Sequence, residues 1–441
     1  MVACRNWILS LLTTFTMMLF AGIWADASHA DDTAIQSQQI VAPDAAAGDL
    51  FGFAMATDGR WLAVGSKFVD TFAGEDGGAV YLYHKQADGQ WALEQKLVPL
   101  HGDDGDEFGE SVALWHNHLV VGARSALNGN GSRSGVAYVF KWRGHRRGWV
   151  ETAMVQPLDG SDGDEFGRSV AVGPGRLAVG ARFADNSQLA DTGAVYVYRY
   201  SVGKGQWALE QKLVDPEGQP GDEFGRAIVY DGSLGERLAV GSREARGTGA
   251  VFLFSRGIGD SAWQVDQVLT PVDGQARDYF GQSLAMRFDL LVVGARNSDT
   301  QAGADTGATY VYRLDCSNRE WMLEQKLEPP SGKKKDQFGF ALAINAFKRN
   351  RIAVSARRAD TDVGTDTGIA YMFAYDRRSG QWILDQTILP EDLLEDDEFG
   401  QCLAMDPFNS GWLAIGADQS SLAGYEDSGA VYIYDLRVRR P

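Results

Sequence analysis

The chain has 441 residues, a formal charge of −18, and 52 glycines against 23% charged and 11% aromatic residues. So acidic a chain lacks the basic stripe that phosphate contacts need, which excludes nucleic acid as a partner. Lys333-Lys334-Lys335 and the tail Arg437-Val438-Arg439-Arg440 are short and separate and read as solvated charge.

Residues 1–30 read as an export signal. Arg5 is a lone cation, Ile8–Trp24 is an uncharged apolar run, and Ser28-His29-Ala30 is a small-x-small site before Asp31. Cleavage after Ala30 is expected, with Ala25-Asp26-Ala27 as a second site. The run is long enough to approach a membrane span, so an uncleaved anchor is the competing reading. Cys4 precedes the run and is misplaced for lipid attachment. No second apolar segment follows, so no membrane span is expected in the mature chain.

A strand-like piece, Gln36–Pro43, comes next, and then one unit repeats. Its clearest copy is Asp164–Tyr198, in which the apolar runs SVAV and RLAVGA are split by the turn GPGR and followed by GAVYVY. Trp207–Leu213 adds a fourth run with apolar residues at alternate places. Four short runs separated by turn residues describe one antiparallel sheet. Phe-Gly recurs at Phe51, Phe108, Phe166, Phe224, Phe280, Phe338 and Phe399. The glycine opening the third run recurs seven times in alternation with it, from Gly78 to Gly429. Self-similarity at this period with four strands per unit predicts a propeller, here one domain over 31–441. The fourth run recurs only six times, at Trp91, Trp149, Trp207, Trp263, Trp321 and Trp382. The expected fold is therefore all-β. Seven four-stranded antiparallel blades form a ring that closes when Gln36–Pro43 pairs beside Gly429–Tyr434 in blade seven.

Phe-Gly, a strand, Val-Gly-Ala and then Thr-Gly-Ala-Val-Tyr resemble the FG-GAP repeat across the whole mature chain. That repeat builds the seven-bladed propeller at the N-terminus of integrin α chains, and the blades here are most similar to those of secreted bacterial members. The resemblance implies adhesion-type recognition, and the export signal leads to the expectation of a secreted, periplasmic or cell-surface location. Two features depart from the family. Its GAP proline is absent, and Lys67, Arg124, Arg182, Arg243, Arg296 and Arg357 stand in that slot. The integrin calcium loop DxDxDG between the first two strands is also missing.

The repeated residues have structural and functional readings. The Phe rings are expected to wedge beside the neighbouring blade. Ala54, Ser111, Ser169, Ala227, Ser283, Ala341 and Cys402 stand two places after the repeat Gly. They are read as small residues in a crowded inner strand, because GRSVA lacks the closing glycine and the helix of a nucleophile elbow. No catalytic residue is expected. His84, His101, His116, His118 and His145 read as surface histidines. Cys316 and Cys402 fall in different blades, too far apart to bridge.

Acidic turns are the main polar feature. Asp49, Asp106, Asp164, Asp222, Asp278, Asp336 and Asp397 stand two residues before each repeat Phe. They read either as Asx caps on turn amides or as a ligand-binding rim. Strand two ends beside the start of strand one, so each Asp is expected to meet the basic residue of that slot, Asp164 with Arg182 and Asp278 with Arg296. In blade seven the slot holds Asp418, near Asp396, Asp397 and Glu398. That cluster is the candidate Ca²⁺ site, since hard cations take carboxylate oxygens, with splayed, solvated acids as the alternative. Of the function classes, a non-catalytic module binding a protein or polysaccharide through one face is preferred. A lyase-like polysaccharide enzyme and a purely structural envelope protein are the alternatives.

Overall fold

The computed structural model describes residues 34–436 apart from 73, 187–188, 234, 258, 260–261, 316, 346–350, 408–410 and 422–423. The export segment with its cleavage sites, Cys316 and the basic tail therefore lie outside the described residues. Seven separate sheets of four antiparallel strands form the ring. Blade two shows the pattern, with Phe108–Trp115 innermost, then His118–Ala123, Val136–Trp142 and Trp149–Val155. The innermost strand of each blade touches those of both neighbours, so these strands surround the axis. No helix among the described residues is long and apolar enough to cross a membrane.

Each interface buries alternating side chains from two blades, as the period of two along a strand requires. Trp61, Val80 and Leu82 of blade one join Phe108, Val121, Tyr138 and Phe140 of blade two in one apolar cluster. The Phe108 ring sits edge-on to Tyr138 at 5.4 Å and to Phe140 at 5.9 Å, a favoured aromatic geometry. Its main-chain N–H donates to the Gly77 carbonyl of the preceding blade at 3.0 Å. The same donation recurs at all seven junctions, from Phe51 to Ser428 through Phe399 to Thr367. This backbone approach explains the invariant third-strand glycine. A Cβ on Gly78 would lie 2.1 Å from the Phe108 carbonyl oxygen, and its φ of +83° disfavours any side chain.

Closure follows the expected pairing. Ile35–Ile40 is the outer strand of blade seven, with Gln36 opposite Tyr434, Gln39 opposite Tyr432 and Ile40 opposite Val431. The small residues of the inner strands have a bonding role beyond their size. Ser111, Ser169 and Ser283 donate their hydroxyls to the repeat-Gly carbonyl of the next blade, each at 2.7 Å. Cys402 lies 2.8 Å from the Gly52 carbonyl in the same way. These groups join blades, and burial pushes the Cys402 thiol well above its ordinary pKa.

Candidate functional site: the charged mouth of the ring

Three positions of each repeat meet where strand one begins and strand two ends. They are the residue before Phe-Gly, the residue after it, and the residue after strand two. The expected Asp–Arg contacts do not form there. Asp164 bends back to accept the Ser161 N–H at 3.0 Å, and Asp106 accepts that of Asp103 at 2.8 Å. Asp49, Asp222, Asp278, Asp336 and Asp397 cap the amide three residues earlier in the same manner. These Asp are buried, and burial raises the carboxyls of Asp106, Asp164 and Asp336 to about 6. All seven thus act as caps on turn amides, as the first of the two readings expects.

The cations meet the next residue instead. Glu107, Glu165, Glu223 and Glu398 have φ of +56°, +57°, +57° and +49°. A left-handed residue there turns its side chain away from that of the preceding Asp. Arg182 holds both Glu165 oxygens, at 2.7 and 2.9 Å, and reaches Glu223 of the next blade at 3.2 Å. Arg124 bonds Glu107 at 2.8 Å, Arg243 bonds Glu223 at 2.7 Å, and Arg357 bonds Glu398 at 2.7 Å. Lys67 bonds Glu110 at 3.1 Å, and Arg168 also pairs with Glu110. Burial alone would raise the Glu110 carboxyl, but Arg168, Lys67 and Arg124 hold it below its ordinary value. The D-E-F-G motif displayed these glutamates in sequence, but spacing alone did not separate them from the aspartates beside them.

Arg296 breaks the pattern. The two Glu positions that Arg182 uses are Tyr279 and Gln337 here. Among the described residues Arg296 makes no hydrogen bond or ion pair, and its Nε is buried. It lies between aromatic faces, 5.4 Å from the Tyr279 centroid and 5.5 Å from that of Phe340. Arg243 covers Tyr279 at 4.9 Å and Arg357 covers Phe340 at 4.1 Å. Burial, then Arg243 and Arg357, press the Arg296 pKa down to about 10.

The candidate Ca²⁺ cluster is dispersed. Asp396 is exposed, Asp397 caps the Leu394 N–H, and Glu398 is held by Arg357 and Arg358. Positive φ at both Asp396 and Glu398 sends the three consecutive side chains in different directions. Asp418 is buried near Glu398, and burial followed by the Glu398 carboxylate raises it to about 7. Among the described residues no three His, Cys, Asp or Glu side chains are grouped to hold a metal. Two histidines also depart from expectation, and His84, half-buried against Trp61, is the first. His118 is half-buried, and burial, then Lys141 and Arg143, lower its pKa to about 4.

No curated protein matches the chain. Among solved structures, the periplasmic gluconolactonase of Pseudomonas aeruginosa is similar, with 17% identity and a TM-score of 0.52 over 77% of this chain and 86% of that one. A likeness at that identity speaks for the fold. Residues 35–83, 91–140, 149–198, 263–312, 321–373 and 382–434 match the FG-GAP repeat family. With more than half its length matched and every blade built on the same Phe-Gly junction, the chain belongs to the FG-GAP repeat family.

Proposed function

We propose that the chain is an exported, non-catalytic binding module that recognises a protein or glycan through the loops on one face of the propeller. The observation that carries this reading is the apolar character of the loop tips. Phe72, Leu100, Leu158 and Val272 are between 68% and 84% exposed. All four stand in loops that follow strand two or precede strand one, so they share the face that holds the charged mouth. Large apolar side chains raised on a polar surface favour a partner that covers them. The hydroxyl that resembles a nucleophile, on Ser169, is already donated to Gly225.

Labelled mature protein is expected to bind a defined subset of a glycan and protein array. The triple variant Phe72→Ser, Leu158→Ser, Val272→Ser is expected to bind at least ~10-fold more weakly, about 1.4 kcal/mol. Mass spectrometry of the secreted protein is expected to find Asp31 at its N-terminus. Hydrolysis of D-glucono-1,5-lactone or cleavage of a polysaccharide by the pure chain, lost on one substitution, would overturn the non-catalytic reading.

A further inference from the structure

Neighbouring outer strands are joined by a side-chain clasp. Gln95 accepts the main-chain N–H of Trp149 at 2.8 Å and donates to the Trp149 carbonyl at 2.9 Å. Gln211 does the same for Trp263, Gln267 for Trp321, Gln325 for Trp382 and, across the ring closure, Gln38 for Trp91. Gln386 takes the N–H of Ala34 at the remaining closure junction.

The junction between blades two and three has no such clasp. Ala153 stands opposite Val139 at the register position where Gln95 stands opposite Leu82 and Gln211 opposite Val197. Trp207 occupies the recipient position, opposite Tyr200 as Trp149 is opposite Trp142. By that register its N–H and C=O point out of their own sheet, and among the described residues no side chain bonds them. Its indole is half-buried, whereas Trp91, Trp149, Trp263, Trp321 and Trp382 are buried.

A cavity of about 520 Å³ opens at this gap, a volume within the range of small-molecule sites. Tyr200 and Trp207 line it with ring centroids 5.2 Å apart, and Lys141, Arg143 and Arg147 line it with positive charge. Among the described residues none of these three cations has a carboxylate partner. Glu151 also lines the cavity, but its carboxylate accepts the Leu100 N–H at 3.2 Å. The concentration of unpaired positive charge is local, in a chain whose formal charge is −18.

We propose that the gap between blades two and three binds an acidic saccharide, its carboxylate held by Lys141, Arg143 and Arg147 and its hydroxyls taking the place of the missing glutamine amide at Trp207. A hydroxyl both donates and accepts, as the amide does, so it can meet the Trp207 C=O and N–H together. A guanidinium presents parallel donors to a carboxylate, and aromatic faces suit the apolar side of a sugar ring. The site lies where strand three ends and strand four begins, the opposite end from the loop face, and stands independently of binding there.

The test is calorimetric titration with trigalacturonate, with maltotriose as the uncharged control. The wild type is expected to bind the first and not the second. Ala153→Gln rebuilds the clasp. It is expected to raise the melting temperature by roughly 1–3 °C and to weaken trigalacturonate binding at least ~10-fold. Arg143→Gln/Arg147→Gln is expected to weaken binding by a similar factor with the melting temperature unchanged, and it decides the matter if Ala153→Gln folds poorly. The proposal is overturned if trigalacturonate does not bind or maltotriose binds equally well. It is also overturned by full affinity in the double arginine variant, or in an Ala153→Gln protein of raised stability.

Discussion

Asp164 and Glu165 are neighbours in sequence with different partners. The first turns back to the Ser161 N–H, and the second, at φ +57°, reaches the Arg182 guanidinium. The aspartate carries a pH dependence whose direction follows from its burial. Asp106, Asp164 and Asp336 have carboxyls raised to about 6, against about 4 for an unfolded aspartate. The folded chain holds these protons more tightly, so their stabilising contribution is complete below about pH 4 and is lost as pH rises through about 6. Melting temperature is expected to fall from pH 4 to 7 through these groups. Asp106→Asn/Asp164→Asn/Asp336→Asn keeps an acceptor for each turn amide and is expected to flatten the fall. An unchanged slope in the triple variant would show that the burial of these carboxyls has no bearing on it. The aspartates were legible as turn caps because Asx geometry is local. Their separation from the arginines was not, because it depends on the positive φ of the next residue.

At the scale of the element, the outer strand is an exposed edge held by the clasp. The WALEQKL run displays its alternation in sequence, with Trp91 and Leu97 buried as the pattern requires. The role of Gln95 was not legible, since its partner is 54 residues away in another blade. Gln211→Ala removes two hydrogen bonds and leaves Trp263 in the position of Trp207. A loss of about 1–3 kcal/mol is expected in denaturant unfolding, from two bonds of about 0.5–1.5 kcal/mol each. Gln211→Ala is also expected to open a second gap, seen as faster hydrogen exchange at the Trp263 amide. Stability equal to wild type would mean that water replaces the clasp at no cost.

At the scale of the whole molecule, the ring is closed by six residues far from their partners in sequence. Removing 34–40 leaves Ala430–Asp435 as an unpaired edge, the kind of edge that recruits another chain. The truncated protein is expected to melt earlier and to associate with rising concentration in light scattering, while a monomer with wild-type melting would contradict closure by this strand. The count of blades, the strand pairing and this closure were determined by the sequence alone. They rest on periodicity, on one leftover run before the first Phe-Gly and on the fourth run that the last unit lacks, and all are properties of the linear chain. Tertiary structure alone decided which carboxylate meets which arginine, why Arg296 meets aromatic rings in place of a carboxylate, and why one junction lacks the glutamine bonds that join the other six. Those outcomes depend on the direction a side chain leaves the backbone and on contacts between neighbouring blades, and a repeat pattern carries neither.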